Sequence, residues 1–125
     1  MNPGRCLGHH TLIDFYECNP KLLDNVSEIR SIMLEAIKIV NVTYISDSFH
    51  EFSPQGVTGV ILIKESHFSV HTWPEFSYAA LDLFTCGPDL DMSTTYTYLK
   101  NKFGAKRMSI FRVDRGVMSE IKFEE

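Results

Sequence analysis

The chain has 125 residues, enough for one compact domain with a single core and too few for a second. It is 44% hydrophobic and 22% charged, the balance of an ordinary soluble globular protein. A net charge of −4 with no Lys/Arg cluster argues against nucleic acid, and apolar runs as short as Val57 to Ile63 argue against a membrane span.

In chain order, Met1-Asn2-Pro3-Gly4-Arg5 lacks the apolar stretch of a signal peptide, so a cytoplasmic location is expected. Leu7 to Tyr16 mixes β-formers and apolar residues and reads as a first strand. Asn19-Pro20 punctuates it and starts a helix. From Leu22 to Val40, Leu22, Leu23, Val26, Ile29, Met33, Ile37 and Val40 recur at three- and four-residue steps, one face of an amphipathic helix on a sheet. Val42 to Phe52 is a second strand. Ser53-Pro54-Gln55-Gly56 is a turn, and Val57 to Lys64 is the strongest strand candidate. Ser69 to Trp73 and Tyr78 to Thr85 are two more strands, separated at Pro74. A second helix runs from about Met92 to Phe103 and ends at Gly104, and Lys106 to Val113 makes a final strand. The expected fold is α+β, a two-layer sandwich with the helices on one face of a mainly antiparallel sheet. Cys6, Cys18 and Cys86 have no Cys-x-x-Cys spacing and cannot all pair, so free thiols are expected.

Residues 65–87 concentrate the chemistry: Glu65-Ser66-His67, His71-Thr72-Trp73-Pro74-Glu75 and Thr85-Cys86-Gly87. Spacing alone leaves three readings open. A Ser-His or Cys-His nucleophile pair lacks any nucleophile elbow around it. A zinc site of His67, His71 and Cys86 meets a geometric obstacle, because a strand spreads His67 and His71 by roughly 13 Å. The third reading is core and surface residues with no chemistry, and for any single His, Ser or Cys it is the better starting point.

The exact string narrows the choice. Glu65-Ser66-His67-Phe68-Ser69-Val70-His71-Thr72-Trp73-Pro74-Glu75, followed by Tyr78-Ala79-Ala80-Leu81-Asp82-Leu83-Phe84-Thr85-Cys86-Gly87, resembles the prokaryotic S-adenosylmethionine decarboxylases. Phe49-His50-Glu51-Phe52-Ser53-Pro54-Gln55-Gly56-Val57-Thr58-Gly59-Val60 and His10-Thr11-Leu12-Ile13-Asp14-Phe15-Tyr16 are similar to the same family. The resemblance covers about residues 8–115.

That resemblance implies a proenzyme that cuts itself between Glu65 and Ser66. The Ser66 hydroxyl attacks the Glu65 carbonyl, and elimination followed by hydrolysis leaves a pyruvoyl group. The single domain, residues 1–125, then becomes a β chain, 1–65, and an α chain, 66–125. The family's processing base maps to His71, and the hydroxyl that assists processing maps to Thr58, where serine is usual. The pyruvoyl group derived from Ser66 would form a Schiff base with the substrate amine and act as electron sink, without metal or pyridoxal phosphate. Cys86 matches the proton donor, a role that suits a thiol protonated at neutral pH. Phe52 is implied against adenine and Glu75 on the ribose hydroxyls. The implied reaction decarboxylates S-adenosylmethionine, an amino-acid-type small molecule, to supply aminopropyl groups for spermidine and other polyamines. The implied assembly is a homodimer of cleaved αβ protomers with sites at the interface, and neither nucleic acid nor membrane is a partner.

Two departures stand out: Glu17 and Ser77 each occupy a position where the family commonly has glycine. An extra carboxylate at Glu17 would suit a basic amino acid, so arginine or ornithine is the alternative substrate. A non-catalytic regulatory relative is the alternative from another class, and the presence of Glu65, Ser66, His71 and Cys86 together argues against it.

Overall fold

A computed structural model describes residues 5–87 and 89–122. The elements follow in the order β1 (Cys6–Tyr16), α1 (Pro20–Leu23), α2 (Val26–Val40), β2 (Tyr44–Glu51), β3 (Val57–Ile63), β4 (Ser66–Trp73), β5 (Tyr78–Cys86), α3 (Ser93–Phe103) and β6 (Arg107–Val117). One six-stranded sheet has the order β2-β3-β4-β5-β1-β6, and every neighbouring pair is antiparallel. The α+β sandwich expected from the sequence is the fold observed.

Side chains alternate along each strand. The helix-covered face carries Ile13 and Phe15 of β1, Val57, Ile61 and Ile63 of β3, and Phe68 and Val70 of β4, all buried. Ala79, Leu81 and Leu83 of β5 complete it, under Ile29, Ile32, Met33, Ala36 and Ile37 of α2 and Leu99 and Phe103 of α3. Among the described residues no helix covers the other face. There Leu12, Leu62, Trp73, Phe111 and Val113 are exposed, an apolar area with no partner in one chain.

The single helix expected from Leu22 to Val40 is two. Asn25 caps α2 by accepting from the Glu28 amide at 3.1 Å, while Asp24 leaves the helix path and accepts from the Gly56 amide at 2.9 Å. Asp and Asn compete with the helix for backbone hydrogen bonds, so the break falls at this pair. β4 begins three residues earlier than Ser69, at Ser66, and β6 extends four beyond Val113, to Val117, because each is recruited by a full-length neighbour. Thr72 ties the layers together: its buried hydroxyl donates to the Leu23 carbonyl at 2.7 Å and accepts from the Val57 amide at 2.8 Å. Glu17 and Ser77 both lie in the left-handed region, at φ 55° and 51°. No helix among the described residues is long and apolar enough to cross a membrane.

Candidate active site

The β3–β4 hairpin turns through only Lys64 and Glu65. Turns this short favour residues with positive φ at their centre, usually glycine or asparagine. Neither Lys64 nor Glu65 has one. Ser66 does, at φ 155°, in a region populated almost only by glycine. The strain of a glycine-free turn thus sits beside the bond that the sequence marks for cleavage.

That bond is also held from both sides. The Cys86 amide donates to the Glu65 carbonyl at 2.9 Å, and the Lys64 amide donates to the Thr43 carbonyl at 2.8 Å. The Thr43 amide in turn donates to the Glu65 carboxylate at 3.1 Å. A backbone N–H aimed at a carbonyl is the donor needed when that oxygen gains charge. Ser66 pairs with Thr85 across β4 and β5, and the exposed Cys86 is the next residue along β5.

The other expected site residues lie at the opposite end of the same strands. Thr58 and His71 are directly paired across β3 and β4, with Thr58 Oγ1 3.1 Å from His71 Nδ1. The Trp73 ring lies 6.4 Å from the His71 ring and 5.3 Å from the Tyr78 ring. Tyr78 donates to Asp14 at 2.6 Å, and burial together with that carboxylate pushes its phenol up. Phe52, just beyond β2, is 47% exposed and packs edge-on against the His50 ring. Glu75 is exposed on the turn Pro74–Phe76.

Two groups of residues therefore share one sheet but do not meet. Glu65, Ser66 and Cys86 form one; Thr58, His71, Phe52 and Glu75 line the other end. Ser66 and His71 are five residues apart on β4, about 16 Å at strand rise. The zinc set His67, His71 and Cys86 is likewise not assembled. Metal-competent groups among the described residues are instead Cys6, His9 and Asp114, and His10, His67 and Asp82. The latter lies on the open face and went unassigned in the sequence, since its members come from three strands and only the register joins them. Glu17 is already paired, its carboxylate accepting from Arg107 at 3.1 Å.

The family model described as S-adenosylmethionine decarboxylase matches residues 9–116. A protein of Thermosipho melanesiensis named S-adenosylmethionine decarboxylase proenzyme is 45% identical over 121 residues, 97% of this chain and 93% of that one. One of the same name from Acidithiobacillus ferrooxidans is 44% identical over 112 residues, covering 90% and 84%. The crystal structure of the adenosylmethionine decarboxylase from Aquifex aeolicus superposes with a TM-score of 0.80 at 36% identity, covering 97% of this chain and all of that one. With nearly its whole length matched in both sequence and fold, the chain belongs to the S-adenosylmethionine decarboxylase family.

Proposed function

We propose that this protein is a self-cleaving S-adenosylmethionine decarboxylase, releasing carbon dioxide and leaving the aminopropyl donor from which spermidine and other polyamines are made. The observation that carries the reading is the Glu65–Ser66 bond, with its carbonyl anchored on the Cys86 amide and its serine in strained backbone. Ser66 Oγ adds to the Glu65 carbonyl carbon while the Cys86 N–H holds the oxyanion. The C–N bond then breaks, the nitrogen keeps the proton lost by the hydroxyl, and an amide has become an ester. His71 takes the Ser66 α-proton, which expels the Glu65 carboxylate and leaves dehydroalanine. That elimination parts chain 1–65 from chain 66–125, and water then releases the dehydroalanine nitrogen as ammonia, leaving the second chain headed by a pyruvoyl group. Thr58, hydrogen-bonded to His71, orients that imidazole.

Ser66 fits such a group: cleavage makes the strained, half-buried residue the free end of β4, paired with Thr85 one residue before Cys86. When present, the pyruvoyl carbonyl supplies the electron sink for decarboxylation. Cys86 returns a proton to the substrate carbon once carbon dioxide has left. Phe52 offers an exposed ring to adenine, and Glu75 a carboxylate to the ribose hydroxyls.

The distance of about 16 Å between Ser66 and His71 supports a homodimer. Two open faces apposed about a two-fold axis bring the Ser66 end of one protomer to the His71 end of the other and bury Leu12, Leu62, Phe111 and Val113. The three free cysteines are in keeping with a reducing, cytoplasmic setting. No observation favours arginine or ornithine, because the Glu17 carboxylate that suggested them is neutralised by Arg107.

The test is an intact mass spectrum of purified protein beside a Ser66→Ala variant. Fragments splitting after residue 65, the second with a pyruvoyl mass, are expected from the first and an uncut chain from the variant. Carbon dioxide release is then measured with S-adenosylmethionine, arginine and ornithine. A wild-type chain that stays at 14.3 kDa removes the reading.

A further inference from the structure

The self-cleavage just described leaves one proton transfer without an owner: something must take the hydroxyl proton of Ser66 as Oγ attacks. The structure assigns that role to His67, oriented by Asp82, and this inference rests on the self-cleavage reading. His67 Nδ1 faces Ser66 Oγ at 3.5 Å, and the opposite ring nitrogen, Nε2, lies 3.8 Å from Asp82 Oδ2. The serine, imidazole and carboxylate thus stand in line, the order in which a base needs its proton source on one side and its counter-charge on the other.

Asp82 is built to hold this position. On β5 it accepts from His10 Nε2 of β1 at 2.8 Å through Oδ2, and from the Ser69 hydroxyl of β4 through Oδ1. Burial works against its charge, yet these hydrogen bonds hold its carboxyl below the usual carboxylate range, so it is ionised. An ionised Asp82 favours the tautomer with the proton on Nε2, which leaves the Nδ1 lone pair free for the serine. The Phe84 ring packs against both imidazoles, its centroid 5.3 Å from that of His10 and 5.9 Å from that of His67.

The proton balance closes within this group. The Ser66 hydroxyl proton moves to His67 Nδ1 as the new C–O bond forms. The imidazolium, facing Asp82, returns the proton to the Ser66 nitrogen as the C–N bond breaks. His67 ends as it began, and no outside reagent is required. His71 then acts on the ester, so the two histidines own successive steps.

The experiment follows cleavage of freshly synthesised chain in a cell-free translation, arrested and sampled against time by denaturing gel. His67→Ala is expected to slow cleavage by about 100-fold or more, and added imidazole to restore part of the rate. Asp82→Asn slows it less, and Asp82→Glu recovers much of that loss. Hydroxylamine, which cuts esters, separates the steps in a His71→Ala background, where elimination is blocked. There it cuts readily when His67 is present and about 100-fold more slowly when His67 is also replaced by alanine. Circular dichroism and the melting midpoint report whether each variant has kept its fold. A folded His67→Ala chain that cleaves within about threefold of wild type, or is slow but deaf to imidazole and no slower in ester formation, overturns the assignment. A wild-type chain that never cleaves removes the self-cleavage reading itself, and this inference with it.

Discussion

Co-expressing Ser66→Ala with His71→Ala asks whether the two ends of the sheet cooperate between chains. Alone, the first lacks the hydroxyl and the second the base for the α-proton, so neither yields the pyruvoyl fragment. Five strand residues separate the two positions, about 16 Å, against a proton-transfer reach of about 3 Å. No side-chain rotation closes that gap within one chain. If two chains pair by their open faces, a mixed dimer holds one complete site, with Ser66 from the His71→Ala chain and His71 from its partner. Random pairing makes about half the dimers mixed, and one of the two chains in each is then cut, about a quarter of all chains. The cut chain must be the one carrying the His71→Ala substitution, which intact mass identifies directly in the fragment starting at residue 66. No fragment, with both variants folded and mixed dimers demonstrated by a tag pull-down, refutes the shared site.

Ser77 sits in the left-handed region at φ 51°, where a side chain costs about 1 kcal/mol relative to glycine, so Ser77→Gly is expected to raise Tm by roughly 4 °C. Calorimetry that finds Tm unchanged or lowered contradicts this. Burial pushes the Cys18 thiol up to about 11 from an ordinary value of 9.0, so the folded state keeps a proton that the unfolded chain releases. That contribution is whole below the lower value and is lost as pH rises through the upper one. Denaturant titrations at about pH 8 and about pH 10 are expected to show a smaller loss of stability in Cys18→Ala than in wild type, and equal losses remove the argument.

Local rules made much of this molecule legible. The three- and four-residue spacing of Val26, Ile29, Met33, Ile37 and Val40 placed α2, and Gly104 placed the end of α3, where it adopts φ 65°. Asp24 and Asn25 compete with the helix for backbone hydrogen bonds, whereas the apolar periodicity from Leu22 to Val40 runs straight through them. The early start of β4 at Ser66 was not legible, because Glu65-Ser66-His67 resembles a polar loop until Ile63 and Thr85 pair with Ser66 on either side. His10 and Asp82 gave no signal of their own. They lie 72 residues apart in the chain and 2.8 Å apart in space.

By itself the sequence determined the family and the alternation that gives the sheet one apolar inner face. Those depend on residue identity and on periods of two and 3.6, which are local. Only the tertiary structure decided that Ser66 and Cys86 lie at one end of the sheet and Thr58 and His71 at the other, that the Cys86 amide meets the Glu65 carbonyl, and that Asp82 gathers two histidines. These follow from strand order and register, which are set by packing between segments distant in the chain and leave no mark in any short stretch of it.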